Sequence, residues 1–385
     1  MKKLGICIGL SILLLGLAGC GAEPPPTEGG SISGTKQEDE AGSIVLFTIQ
    51  VEQAGDPVGI DFRGVVSGTV RVQLTSAEGT VIWQEEVGST GPLAVNTAVE
   101  PPAPGEYQLG IAWDGPMQMQ YELQWKPGAI EVPTVPPLAL MSGIGMVVVA
   151  IGFVIYVIVT RQTDWKYLGL GALGWIATVL LKFAWAASAN PTVYNGLTET
   201  LPEAAAMPVF YVYVGALTGV FEVVGVWLAL RYTRLGQETT WRRALSFGIG
   251  FGAVEALLLG ISSTASTVMA MTTPELFPLG TLEQIAQASN PLYGLAPIVE
   301  RFSTILVHMF SNALIFYTVA QKQSRWLWLA FAYKTLLDTA AALGQMTGLS
   351  TLAALWAIEA FVVVWGALGW LGLRWIRRRY PDTGE

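Results

Sequence analysis

The sequence predicts two folded parts of different kinds, a small antiparallel β-sandwich followed by an all-α bundle of seven membrane-spanning helices. Three observations predict it. Of the 385 residues, 52% are hydrophobic and only 13% charged, with a mean hydropathy of +0.49, a membrane composition and not that of one large soluble core. From residue 138 onward, seven apolar runs follow one another, each close to the roughly 20 residues that cross a hydrocarbon core. Before them, residues 43–132 alternate apolar and polar side chains between turn sequences.

The amino terminus reads as a secretory signal over 1–19, with Lys2 and Lys3 ahead of an apolar core that is short for a span. Its end, Leu17-Ala18-Gly19-Cys20, resembles the bacterial lipobox, which implies cleavage before Cys20 and a lipid on its thiol. Cys7, the other of the two cysteines, lies in the segment removed, so neither a disulfide nor thiol catalysis is expected. Residues 20–42 are rich in Pro, Gly, Ser and acidic side chains, cannot bury enough apolar surface to fold, and are expected to form a disordered tether.

Over 43–132, runs at 45–51, 69–74, 81–87, 107–113 and 119–125 are separated by Ala54-Gly55-Asp56-Pro57, Glu78-Gly79, Pro104-Gly105 and Asp114-Gly115-Pro116. Period-two patterning with turns at this spacing predicts the β-sandwich. Trp83, Trp113 and Trp125 are expected to fill its core. Residues 133–137 form a stiff linker.

The seven spans are expected at 138–160, 167–187, 206–230, 244–266, 301–320, 326–346 and 352–374, within a membrane domain of 138–376 and ahead of a tail at 377–385. Charge placement tests this independently. Arg161 and Lys166, then Arg231, Arg234, Arg242 and Arg243, then Lys322 and Arg325, and finally Arg374, Arg377, Arg378 and Arg379 follow alternate spans, while the loops 188–205, 267–299 and 347–351 hold no Lys or Arg. The positive-inside rule then puts the β domain outside the cytoplasmic membrane and the carboxyl terminus in the cytoplasm. The formal charge of −8 comes from acidic residues early in the chain, and basic residues confined to short loops give no support for nucleic-acid binding. The long loop 267–299 is expected to carry a short helix at 281–288 and a functional role.

Ionisable residues inside spans are expensive and mark a site by default. Counting 1.5 Å per residue places Glu222 about 12 Å, Glu255 about 16 Å, His308 about 18 Å, Lys334 about 12 Å and Asp338 about 18 Å from the same end of the bundle. His308 is the single histidine. Lys334 can pair with Glu222 or Asp338, and Lys182 with Glu359, each about 22 Å up its span. Gly248, Gly250 and Gly252 permit close helix packing ahead of Glu255. Carboxylate and imidazole together can activate water. A strong metal site asks for several His or Cys ligands, so no cofactor is expected, and a divalent metal is poorly supported.

Phe221-Glu222, Gly248-Ile249-Gly250-Phe251-Gly252-Ala253-Val254-Glu255, Glu300-Arg301 followed by His308, and Asp338-Thr339-Ala340-Ala341-Ala342-Leu343 together resemble the YhfC family of intramembrane proteases, distant relatives of the CAAX prenyl endopeptidases and the PrsW-type glutamic proteases. The resemblance covers about 140–375. It implies peptide-bond hydrolysis in the bilayer by water that glutamate and histidine activate, with Glu222, Glu255, His308 and Asp338 as catalytic residues and Glu300, Arg301 and Lys334 in the surrounding polar network. The departures are Val223 and Val226 in place of a second Glu and an Arg, Phe251 in place of a histidine, and Lys334 in place of another. Three functions follow: an endopeptidase acting on a membrane-protein or peptide substrate, a catalytically silent homologue that binds an envelope partner through the β domain, and a transporter. The last is weakest because no pair of broken, repeated spans is evident. Membrane lipid is the one partner common to all three.

Overall fold

The computed structural model describes residues 29–87, 90–237, 239–346 and 351–380. The signal segment 1–19, the lipidation residue Cys20 and the end of the tail lie outside the described residues. The chain divides into two compact units, one of residues 29–139 with Ser266–Ser289, the other of Leu140–Ala265 with residues 290–380.

The first unit is the expected sandwich, with eight strands: β1 (Gly30–Glu38), β2 (Gly42–Val51), β3 (Val58–Ser67), β4 (Val70–Ser76), β5 (Val81–Val87), β6 (Thr90–Val99), β7 (Gly105–Trp113) and β8 (Met117–Pro127). They form two four-stranded antiparallel sheets, ordered β1-β8-β3-β6 and β2-β7-β4-β5. Alternation builds the core. Met117, Met119, Tyr121, Leu123 and Trp125 of β8 point inward, as do Ile60 and Phe62 of β3, against Leu74, Leu109 and Ile111 of the other sheet. Trp113 and Trp125 are core residues, Trp83 is packed against the core at its margin, and the Trp113 indole donates to the Glu40 carbonyl at 2.8 Å.

Part of the expected tether is instead strand β1, paired over its whole length with β8. An edge strand needs backbone partners more than apolar side chains, and its glycines are suited to this edge. A methyl group on Gly30 would lie 2.8 Å from Phe47 Cε1 and 2.9 Å from Trp125 Nε1.

Residues Ser266–Ser289 fold with the sandwich. A 3-10 turn (Pro274–Leu276) leads into a short helix, here α6 (Leu279–Gln287), close to the short helix expected. Leu279, Leu282 and Ala270 form a small core with Ile130, joined by Phe277, Val132 and Val135. Asp61 and Arg63, on the face of β3 opposite to Ile60 and Phe62, are both buried. Arg63 donates to Asp61 through Nε at 2.6 Å and Nη2 at 3.2 Å, and through Nη1 to the carbonyls of Pro274 at 2.7 Å and Phe277 at 3.1 Å.

The second unit contains α1 (Leu140–Val159), α2 (Trp165–Thr200), α3 (Glu203–Thr218), a π-helical turn (Gly219–Val224), α4 (Gly225–Tyr232), α5 (Trp241–Thr272, whose last turns fall to the other unit), α7 (Pro291–Gln321), α8 (Arg325–Met346) and α9 (Leu352–Arg377). With α3, the π turn and α4 forming one rod, these are seven rods at the seven expected places. Six are long and apolar enough to cross a membrane. The seventh, α8, is not among them and carries Arg325, Lys334 and Asp338.

Some boundaries differ from expectation. Residues 188–200 are the end of α2 and not a loop, with Ser188, Thr198 and Thr200 hydroxyls bonded back to carbonyls of the preceding turn. Helix α7 starts ten residues early because Asn290 caps it, accepting from Leu292 N at 3.0 Å, and Pro291 occupies the first position, where its missing N–H costs nothing. Tyr380, in the tail expected at 377–385, is buried against Trp241 and Tyr317.

Candidate functional site

Glycines set the helix spacing around the site. A methyl group on Gly171 of α2 would lie 2.1 Å from the Phe247 carbonyl oxygen, and one on Gly250 of α5 2.0 Å from that of Leu168, so α2 and α5 meet backbone to backbone. Capping contacts hold the same pair: Ser246 Oγ accepts from Asp164 N at 2.8 Å and donates to the Gln162 carbonyl at 3.0 Å. On the neighbouring face of α5, a methyl on Gly248 would lie 2.8 Å from Met309 Cα, and one on Gly252 3.1 Å from His308 Cβ. Residues four apart share a helix face, so this glycine face seats α7 with His308 turned toward Glu255.

Glu255 is the hub. Its Oε2 accepts from the Trp175 indole at 2.9 Å and lies 2.8 Å from His308 Nε2, while Oε1 pairs with Arg301 Nη1. Arg301 uses Nη2 on Glu300, so one guanidinium bridges two carboxylates. His308 is 2% exposed and its Nδ1 has no hydrogen-bond partner among the described residues. Phe251 lies beside it, ring centroids 5.1 Å apart.

A second cluster surrounds Glu222 in the π-helical turn, an irregularity often found where helices carry function. Gly215 and Gly219 bring this rod onto α8: methyl groups there would lie 2.6 Å from the Thr335 carbonyl oxygen and 2.6 Å from Thr335 Oγ1. Glu222 then meets Lys182 Nζ through Oε1 at 2.7 Å and Lys334 Nζ through Oε2 at 3.2 Å. Lys182 also donates to Thr218 Oγ1 at 3.2 Å.

The structure therefore joins Glu255, His308, Arg301 and Glu300 in one network, and Glu222 with Lys334 in another. Asp338 is half-buried and makes no ion pair within 4.0 Å among the described residues. The expected pairing of Lys182 with Glu359 is corrected. Depth along a helix does not fix the direction in which a side chain leaves it, and Lys182 reaches Glu222 instead. Glu359 is 5% exposed with Oε2 unpartnered among the described residues. Trp175 was not anticipated, because a tryptophan in an apolar run is indistinguishable by sequence from a lipid-facing one.

A profile described as YhfC intramembrane metalloprotease matches residues 145–362. This chain belongs to the YhfC family. Among YhfC relatives, the uncharacterized membrane protein YhfC of Bacillus subtilis (strain 168) is 28% identical over 184 residues, which are 43% of this chain and 69% of the relative. Solved structures give only slight likenesses. The VP2 subviral particle of infectious bursal disease virus matches at 14% identity over 28% of this chain and 34% of that one, with a TM-score of 0.19. Endospore appendages of Bacillus that form disulfide-linked pili match at 12% identity over 28% of this chain and 96% of that one, also with a TM-score of 0.19. Neither bears on the YhfC bundle.

The family's description implies a metal, and the donor side chains among the described residues do not fit one. No three His, Cys, Asp or Glu side chains come together among the described residues. Both oxygens of Glu255 are engaged by Arg301, Trp175 and His308. Glu222 already carries two ammonium groups, which repel a divalent cation. At positions 251 and 334, a phenyl ring lies beside His308 and an ammonium beside Glu222.

The glycine seat has a measurable consequence. Gly248→Leu must push α7 away from α5, because the obstructing atom is backbone. A loss of about 1–3 kcal/mol is expected, read as a lower thermal midpoint of the detergent-purified protein. Gly152→Leu, with nothing within 4 Å of its added carbon, should leave the midpoint unchanged.

Proposed function

We propose that this chain hydrolyses peptide bonds of membrane-embedded segments, with His308 as the group that activates water. One observation carries the reading: Nε2 is held 2.8 Å from Glu255 Oε2 while Nδ1 is buried without a partner among the described residues. An ionised carboxylate accepting from Nε2–H selects the tautomer whose Nδ1 has the free lone pair. A buried acceptor lacking a partner is a place for a water or substrate proton.

In the step, Nδ1 takes a proton from water as the water oxygen bonds to the substrate carbonyl carbon, and the carbonyl electron pair moves onto its oxygen. The imidazolium is balanced by Glu255, whose position Arg301 and Trp175 fix. The proton then passes to the amide nitrogen as the carbon–nitrogen bond breaks. Glu255 is a positioning residue in this scheme. Glu222, held between Lys182 and Lys334, anchors two cations and is not the base.

Co-expression of the full chain with single-span reporter proteins tests this. His308→Ala is expected to abolish reporter cleavage, and Glu255→Gln to lower it about 10²–10⁴-fold, each read per amount of protein accumulated. Cleavage that survives in His308→Ala sinks the reading.

A second reading, a catalytically silent family member that binds an envelope partner through its sandwich, is favoured by the two ammonium groups on Glu222. Partner capture retained in His308→Ala, with no cleavage by any form, would select it. Under either reading we place the sandwich outside the cytoplasmic membrane, the carboxyl terminus in the cytoplasm and a lipid on Cys20. Support comes from the alternating Lys and Arg content of the loops and from the Leu17-Ala18-Gly19-Cys20 sequence.

A further inference from the structure

At one end of the bundle, a cavity of about 650 Å³ opens where α4 and α7 terminate, lined in part by Arg231, Arg234, Gln237, Val319 and Lys322. The chain is folded back on itself to make it. Gly236 comes so close to the end of α4 that a methyl group there would lie 2.1 Å from the Leu230 carbonyl oxygen. Lys322 ends α7 in the left-handed conformation, φ 55°.

Three cations at one opening ask for an explanation. Basic residues near helix carboxyl ends commonly serve the exposed carbonyls, but here one carbonyl at each end is served from within. Thr233 Oγ1 donates to the Ala229 carbonyl at 2.6 Å, and Lys322 N donates to that of Thr318. Among the described residues, the charged ends of Arg231, Arg234 and Lys322 have neither a carboxylate within 4.0 Å nor a carbonyl acceptor. Like charges lining one opening repel one another, and an anion between them relieves that repulsion.

We propose that this cavity binds a phosphate oxyanion, carried by the headgroup of an anionic phospholipid. Its position favours the lipid as source. The ends of two membrane-crossing helices lie at headgroup depth. Leu230 and Val319 supply an apolar wall, and Tyr232, 76% exposed, is the aromatic type that settles at a membrane interface. A volume of this size is within the usual range of small-molecule clefts. The assignment does not depend on the peptidase reading.

The test is thermal unfolding of the full chain in detergent, with phosphatidylglycerol, phosphatidylcholine or inorganic phosphate added. Phosphatidylglycerol is expected to raise the midpoint of the wild type by several degrees, and that of Arg231→Gln/Arg234→Gln/Lys322→Gln by less than half as much. Phosphatidylcholine and inorganic phosphate should move neither. An equal rise in both proteins overturns the site. A rise with inorganic phosphate matching that with phosphatidylglycerol overturns the assignment to a lipid. Should the triple variant not accumulate, Lys322→Gln alone, at an exposed helix end, is expected to show a rise smaller than that of the wild type, and an undiminished rise overturns the site equally.

Discussion

Glu222→Gln is expected to destabilise the bundle before it touches any chemistry. The carboxylate is 5% exposed and pairs with two ammonium groups, Lys334 with a side chain 5% exposed and Lys182 with one 21% exposed. Removing one member of a buried ion pair leaves the other charged and unmatched, typically at about 3–5 kcal/mol. The double variant Glu222→Gln/Lys334→Met should recover more than half of the loss, since only Lys182 then remains, and its stem can carry the charge toward water. A double-mutant cycle on thermal midpoints in detergent measures this coupling. If Glu222 were instead a poised base, the single variant would keep its midpoint and lose only activity.

Arg63→Ala should be as costly in the sandwich. Its guanidinium satisfies both oxygens of Asp61, which is 1% exposed, and two backbone carbonyls of the 274–277 turn. Without it, Asp61 keeps, among the described residues, only the Asn96 amide at 2.8 Å, and the Phe277 carbonyl loses this donor while that of Pro274 keeps Phe277 N at 3.1 Å. An unpaired buried carboxylate again implies about 3–5 kcal/mol. Arg63→Lys should restore little, because an ammonium lacks the planar fork that reaches carboxylate and carbonyls together. Thermal unfolding of the full chain, with limited proteolysis across 266–289, reads both effects. A variant that keeps the wild-type midpoint and resists protease would show that the buried pair contributes nothing.

Composition and apolar length were enough to find the helical rods, since six of the seven are long and apolar enough to cross a membrane. Strands β2, β4, β5, β7 and β8 were legible from alternation, whereas β3 and β6 were not. In β3, Asp61 and Arg63 look like an exposed face, and only the covering turn at 274–277 buries them. The meeting of Glu255 and His308 was readable as depth. Their expected heights differ by about 2 Å, and close packing at Gly248 and Gly252 supplies the rest. Arg301 looked like a boundary residue, yet with α7 starting at Pro291 it lies about 15 Å along the helix, within reach of Glu255. What depth cannot give is azimuth. The π-helical turn at Gly219–Val224 changes the rotation of Glu222 about its axis, and nothing in the residue types announces it.

Strand β1 also shortens a leash. A chain free from Cys20 to Gly42 could pay out about 75 Å at full extension, but one fixed from Gly30 has only about 34 Å. If Cys20 carries lipid, the start of β1 can stand no more than about 34 Å from it, which caps how far that edge of the sandwich can wander from its anchor.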